Sequence, residues 1–100
     1  MTDLVYNTMI KFQFFCNQVF KQKNIDKLVP NGMSYTDWNA QKAGILREEI
    51  ESVSRYLQQE ATTRTDSLPA ADKEELSVRF QEIISRAVGD YQEKIYDHYR

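Results

Sequence analysis

One cysteine, two prolines and three glycines leave this chain of 100 residues with little covalent or conformational punctuation. The lone Cys16 excludes an intrachain disulfide, and with it the stapled, loop-rich scaffolds of small secreted proteins. The scarcity of Pro and Gly argues against many short strands joined by tight turns and favours a few long elements. No apolar run approaches the length of a membrane span. Asp3, Asn7, Lys11, Gln13, Asn17 and Gln18 interrupt the apolar-rich start of the chain, whereas a signal peptide carries its charges ahead of one continuous apolar block. The expectation is a cytoplasmic protein with a reduced thiol. A surplus of positive charge is lacking too: 13 basic residues stand against 15 acidic ones, for a net charge of −2. Phosphate-dependent nucleic-acid binding usually shows a basic surplus or stripe. The mild local excess of Lys21, Lys23 and Lys27 offers the only footing for a nucleic-acid-associated subunit, and a solvated helix end and loop accounts for it better.

What is present fits one globular domain over residues 1–100, with 41% hydrophobic and 28% charged residues. Helical periodicity dominates. Val5, Met9, Phe12, Cys16 and Val19 form a stripe, widened by Phe15 and Phe20, that predicts a first helix over about 3–23. Tyr6, Ile10 and Phe14 make a second apolar line on another side of that helix. Residues 24–33 form a connector with a short helical turn near 25–29 and a turn signal at Asn31-Gly32. Ser34 and Asp37 resemble a capping pair opening a central helix over about 34–61. Its core line is Leu46, Ile50, Val53 and Leu57, with Trp38, Ile45 and Tyr56 on one flank. Gly44 within it is a candidate for a close helix crossing. Residues 62–67 read as an exposed polar loop. A third helix over about 69–99 starts at Pro69 and buries Leu76, Phe80, Ile83, Ile84, Ala87, Tyr91 and Ile95. Ordered i, i+4 charge pairs are expected on the wet sides: Glu75–Arg79, Glu82–Arg86 and Asp90–Lys94 on the third helix, with Arg47–Glu51–Arg55 on the central one. The predicted fold is all-α, a small antiparallel bundle of three main helices.

Candidate chemistry is sparse. Glu48, Glu49 and Glu51 contain an E-x-x-E spacing, and carboxylates three apart on a helix point the same way and can hold a hard divalent cation. The stretch LREEIESV, preceded by the aromatic helix KFQFFCNQVF, resembles the first half-motif of the all-helical nucleotide pyrophosphohydrolases of the MazG type. That resemblance implies a magnesium site completed by an E-x-x-D on a second helix. No E-x-x-D occurs in the third helix, and the helical wheel turns Glu48 and Glu51 away from the apolar line, leaving Glu49 at its edge. Apart from that alternative no cofactor is indicated. Cys16 belongs to a core stripe, where cysteine is usually a small inert hydrophobe. His98, the only histidine, falls on the apolar side of the third helix. The two give no metal-ligand spacing.

Aromatic residues are plentiful: six Tyr, five Phe and one Trp. Those that fall off the core stripes suit the anchors of a protein–protein interface. Tyr6, Ile10, Phe14, Trp38, Tyr56, Tyr96 and Tyr99 are the candidates. The sequence therefore reads as a non-enzymatic interaction module, of inhibitor, immunity-like, phage-modulator or complex-subunit type. It would occlude or modulate a protein partner and self-associate through its first helix. The alternatives are a MazG-like pyrophosphohydrolase or an inactive relative, and a nucleic-acid-associated helical subunit.

Overall fold

A computed structural model describes residues 3–23 and 28–99. Among the described residues the chain is helical with no strand: α1 (Asp3–Lys21), α2 (Tyr35–Gln41), α3 (Ala43–Thr65), α4 (Ala70–Tyr96), and a 3-10 turn at Asp97–Tyr99. The all-α small bundle is as the periodicity predicts. The helical turn expected near 25–29 lies mostly outside the described residues; Leu28 and Val29 are buried and non-helical.

Cross-helix contacts give the topology. Phe12 meets Phe80 and Phe20 meets Tyr91, so α1 and α4 run parallel. Phe15 meets Tyr56, and the amides of Gln58 and Gln81 exchange hydrogen bonds of 2.6 and 2.7 Å, so α3 runs antiparallel to both. The result is an up-down-up rod of 51 × 19 × 18 Å. Its interior consists of two cores placed end to end. One gathers Val5, Phe12, Cys16, Leu57, Phe80 and Ile84 among others. The second gathers Leu28, Val29, Trp38, Leu46, Tyr91 and Ile95. Phe20 packs against both.

The expected central helix differs from the observed structure in two places. At Lys42, with φ −116° and ψ −21°, the helix is interrupted and α3 begins at Ala43. Hydrogen bonding is relayed rather than lost, because the Lys42 N–H donates to the Trp38 carbonyl (2.7 Å) and the Leu46 N–H to the Lys42 carbonyl (3.0 Å). At the far end the helix continues through the expected 62–67 loop to Thr65. The Thr62, Thr63 and Thr65 hydroxyls donate to the carbonyls of Gln58, Gln59 and Ala61, which lets these residues remain in a helix. Ser34 caps α2 as expected, its Oγ accepting the Asp37 N–H at 3.2 Å. Gly32, at φ +83°, occupies the third position of the turn that the Met33 N–H closes onto the Pro30 carbonyl, a backbone state that favours glycine. Gly44 has nothing within 4 Å of where a Cβ would stand, so it serves no close crossing. Of the expected charge pairs on the wet faces, none forms among the described residues; Arg79 pairs instead with Glu82, at 3.6 Å. No helix among the described residues is long and apolar enough to cross a membrane.

Candidate functional site: a polar junction and an exposed aromatic row

Glu49 is the one member of the glutamate cluster that turns toward the bundle. It occupies the edge of the α3 apolar arc, where a carboxylate meets both the start of the first connector and the buried face of α4. Its Oε1 accepts the Tyr91 hydroxyl at 3.2 Å and lies 3.7 Å from the Lys23 Nζ. Burial pushes the Tyr91 phenol up to about 12, and the negative charge of Glu49 and the hydrogen bond to it push in the same direction. The phenol thus keeps its proton at ordinary pH and donates it to the Glu49 carboxylate in a hydrogen bond. The junction therefore acts as a tie among α1, α3 and α4. Glu48 and Glu51 are exposed, and their carboxylates do not join it. No group of three His, Cys, Asp or Glu side chains that could hold a metal comes together among the described residues. The magnesium site implied by the pyrophosphohydrolase resemblance thus lacks both its second acidic helix and a free Glu49.

The junction makes stability depend on alkaline pH. The sign follows from the raised folded-state value: the contribution is complete below the ordinary 10.0 and is lost as pH rises through about 12. Cys16, enclosed in the first core, behaves alike. Burial pushes its thiol up to about 11, partly offset by the positive charge of Arg64, so its contribution is lost between about 9 and 11. Unfolding free energy is expected to fall across this whole range, with Tyr91 accounting for about 3 kcal/mol of it at most. Tyr91→Phe is expected to flatten the upper part of the slope in urea melts at successive pH values. Equal slopes in the two proteins would refute the buried phenol–carboxylate bond.

Cys16 is buried in the first core and His98 is exposed on the 3-10 turn beyond the second. The helix tightens at Asp97 and carries His98 off the apolar side expected for it. The structure thus keeps these two residues apart.

The aromatic candidates separate into two sets. Trp38 is wholly buried, which corrects its expected place on an interface. The indole stacks near Tyr35, Tyr96 and Tyr99, at centroid distances of 6.1, 5.5 and 5.6 Å, and its Nε1–H donates to the Leu28 carbonyl. The physical reason is cover from outside its own helix: the connector residues Leu28 and Val29 and the C-terminal Ile95, Tyr96 and Tyr99 enclose the indole, which a wheel of one helix does not show. Tyr96 and Tyr99 are half-buried around that indole. Tyr6, Ile10 and Phe14 lie on the solvent side of α1 and are 52, 42 and 64% exposed, with Val5, Phe12 and Cys16 buried on its other side. Tyr56 is also exposed, its ring 5.8 Å from Phe15, which Arg64 covers at 4.9 Å. Leu4, Tyr35 and Val78 are exposed as well and were not foreseen; being off any apolar line, they give no periodic signal.

Lys21 is exposed, Lys23 is engaged with Glu49, and Lys27 lies outside the described residues. A groove follows the α1/α4 seam through two hollows of about 420 and 550 Å³ that share Asn17, Ala87 and Asp90. Its lining carries Lys21, Lys23, Arg79, Arg86 and Lys94 against Glu82 and Asp90, a local positive excess in which Lys23 is tied to Glu49 and Arg79 to Glu82. No protein-family model, curated protein or solved structure matches the chain.

Proposed function

We propose that this protein is a protein-interaction module that works by seating an apolar row of α1 on a partner surface. The observation that carries the reading is the two-sidedness of α1. Its inner side supplies Val5, Phe12 and Cys16 to the core, and its outer side still presents Tyr6, Ile10 and Phe14. Single exposed hydrophobics are ordinary on any protein surface. Three in register along one helix face are the pattern by which a helix anchors in a groove or against another helix. Charged neighbours Asp3, Lys11 and Lys21 supply a polar rim of the kind that surrounds such anchors. An inhibitor, an immunity-like protein or a complex subunit would use such a face in the same way, by occlusion. Catalysis has less support, because Glu48 and Glu51 face solvent apart from Glu49 and the half-buried Glu49 is engaged with Tyr91 and Lys23.

Phe14→Glu tests the reading. The substitution is at a solvent-facing helical position, so thermal stability is expected to move by no more than about 0.5 kcal/mol. Partner binding, measured by capture from cells of the source organism and then with purified partner, is expected to weaken roughly 30-fold or more, as for loss of an interface hot spot. Unchanged capture by both Phe14→Glu and Tyr6→Glu would refute it.

A further inference from the structure

The face of α1 that the interaction reading uses has a second property, which concerns its order along the helix. Asp3 and Lys21 are both exposed and are 18 residues apart (21 − 3), which is about five full turns of an α-helix. They therefore lie on one line, at opposite ends of α1, and Ile10 lies close to that same line. Neither Asp3 nor Lys21 makes an ion pair among the described residues. When two copies of α1 are laid antiparallel about a dyad at the level of residue 12, each residue meets the one whose number completes a sum of 24. Asp3 then faces the second copy's Lys21, and Ile10 faces the second copy's Phe14. One axis satisfies both the charged ends and the apolar middle, and each pairing occurs twice.

From this register we infer that the partner of the α1 face is a second copy of this chain, joined as an antiparallel α1–α1 homodimer. This inference rests on the interaction reading above and makes it specific. The isologous arrangement is the one expected of a twofold dimer, in which a single patch complements itself. The antiparallel direction also places the negative end of each helix dipole beside the positive end of its neighbour. Tyr6 lies about 60° to one side of the Asp3–Lys21 line, so its ring covers the apolar middle from the side. The register makes the charged ends complementary, whereas a parallel pairing would bring Asp3 to Asp3 and Lys21 to Lys21; the two Lys11 side chains flank the dyad on the solvent-exposed rim. The contact consists of one helix from each copy, about 28 Å long, so the dimer is a small interface and a reversible one.

Sedimentation equilibrium across a wide concentration range, with and without added salt, is the test. The wild-type chain is expected to show a monomer–dimer equilibrium that added salt weakens. Phe14→Glu is expected to abolish it. Asp3→Lys and Lys21→Asp are each expected to weaken it roughly tenfold, because each replaces two attractions by two repulsions. The double variant Asp3→Lys/Lys21→Asp restores the pairing with its sign reversed and is expected to return the association to within about threefold of wild type. Circular dichroism of every variant checks that the helices persist. Three results would each overturn the dimer: a strict monomer at several hundred micromolar, association unchanged by Phe14→Glu, or a double variant no better than the single ones. A monomeric protein whose α1 face still captures a different partner would overturn the dimer and leave the interaction reading standing.

Discussion

Trp38→Ala is expected to lower the unfolding free energy by about 3–5 kcal/mol, the range for removing a large aromatic from a packed core. The indole is wholly enclosed and is the hub on which Tyr35, Tyr96 and Tyr99 converge. Its Nε1–H also satisfies the carbonyl of Leu28, so truncation strands a buried acceptor in addition to opening a cavity. Trp38→Phe separates the two contributions. The ring volume is mostly kept and the donor is lost, so a smaller cost of about 1–3 kcal/mol is expected. Urea denaturation measures both. Trp38 is the only tryptophan, which gives an independent check: native emission should be blue-shifted and poorly quenched by acrylamide. A loss below about 1 kcal/mol for the Ala variant, or an emission maximum at the position of a hydrated indole, would show that the second core is not packed around this residue.

Phe80→Ala is expected to have a comparable effect, about 3–5 kcal/mol, by a different route. Phe80 stacks on Phe12 at 4.1 Å between ring centroids and is almost completely buried in the first core. No hydrogen bond is involved, so the cost is lost transfer energy and the cavity left between α1 and α4. Trp38 and Phe80 belong to different cores. Their costs are therefore expected to add to within about 0.5 kcal/mol. The double variant would lose most of the stability of an ordinary small domain, which totals about 5–15 kcal/mol. Strong non-additivity in the double-mutant cycle would mean that the two cores act as one packed unit.

Much of this architecture was legible because long apolar stripes at helical spacing have few other readings. Val5, Phe12 and Cys16 on α1, Leu46, Val53 and Leu57 on α3, and Leu76, Phe80, Ile84, Ala87, Tyr91 and Ile95 on α4 are buried as their spacing predicts, with Ile50 and Ile83 half-buried beside them. The break at Lys42 was not legible. Neither proline nor a turn dipeptide marks it, and the Gly44 nearby is not at the break. The burial of Trp38 was not legible either, because its cover comes from Leu28 and Val29 and from the C-terminal Ile95, Tyr96 and Tyr99, which a single-helix wheel leaves out. The extension to Thr65 was missed because three threonines look like loop by composition, whereas their hydroxyls bond back along the helix. Of the site, the outward placement of Tyr6, Ile10 and Phe14 and the edge position of Glu49 followed from the wheel. The tie from Glu49 to Tyr91 and Lys23 did not, because it depends on how three helices are docked. A tyrosine on a core stripe was the available hint, since a buried phenol generally needs an acceptor.

The interruption at Lys42 also divides the molecule kinetically. A helix of seven residues is too short to persist by itself, as isolated helices below about 12–15 residues are marginal in water. Nor does α2 extend an axis that α3 has already nucleated. It is held by the docking of Trp38 and by its Ser34 cap, so it forms and melts with the second core as one sub-global unit. Amide protons from Trp38 to Lys42 should then exchange as a group, ahead of those in the middle of α3 and α4. The end of the rod containing Trp38 is thus expected to act as a hatch, uncovering Leu46, Tyr91 and Ile95 while the first core and the row on the outer side of α1 stay folded.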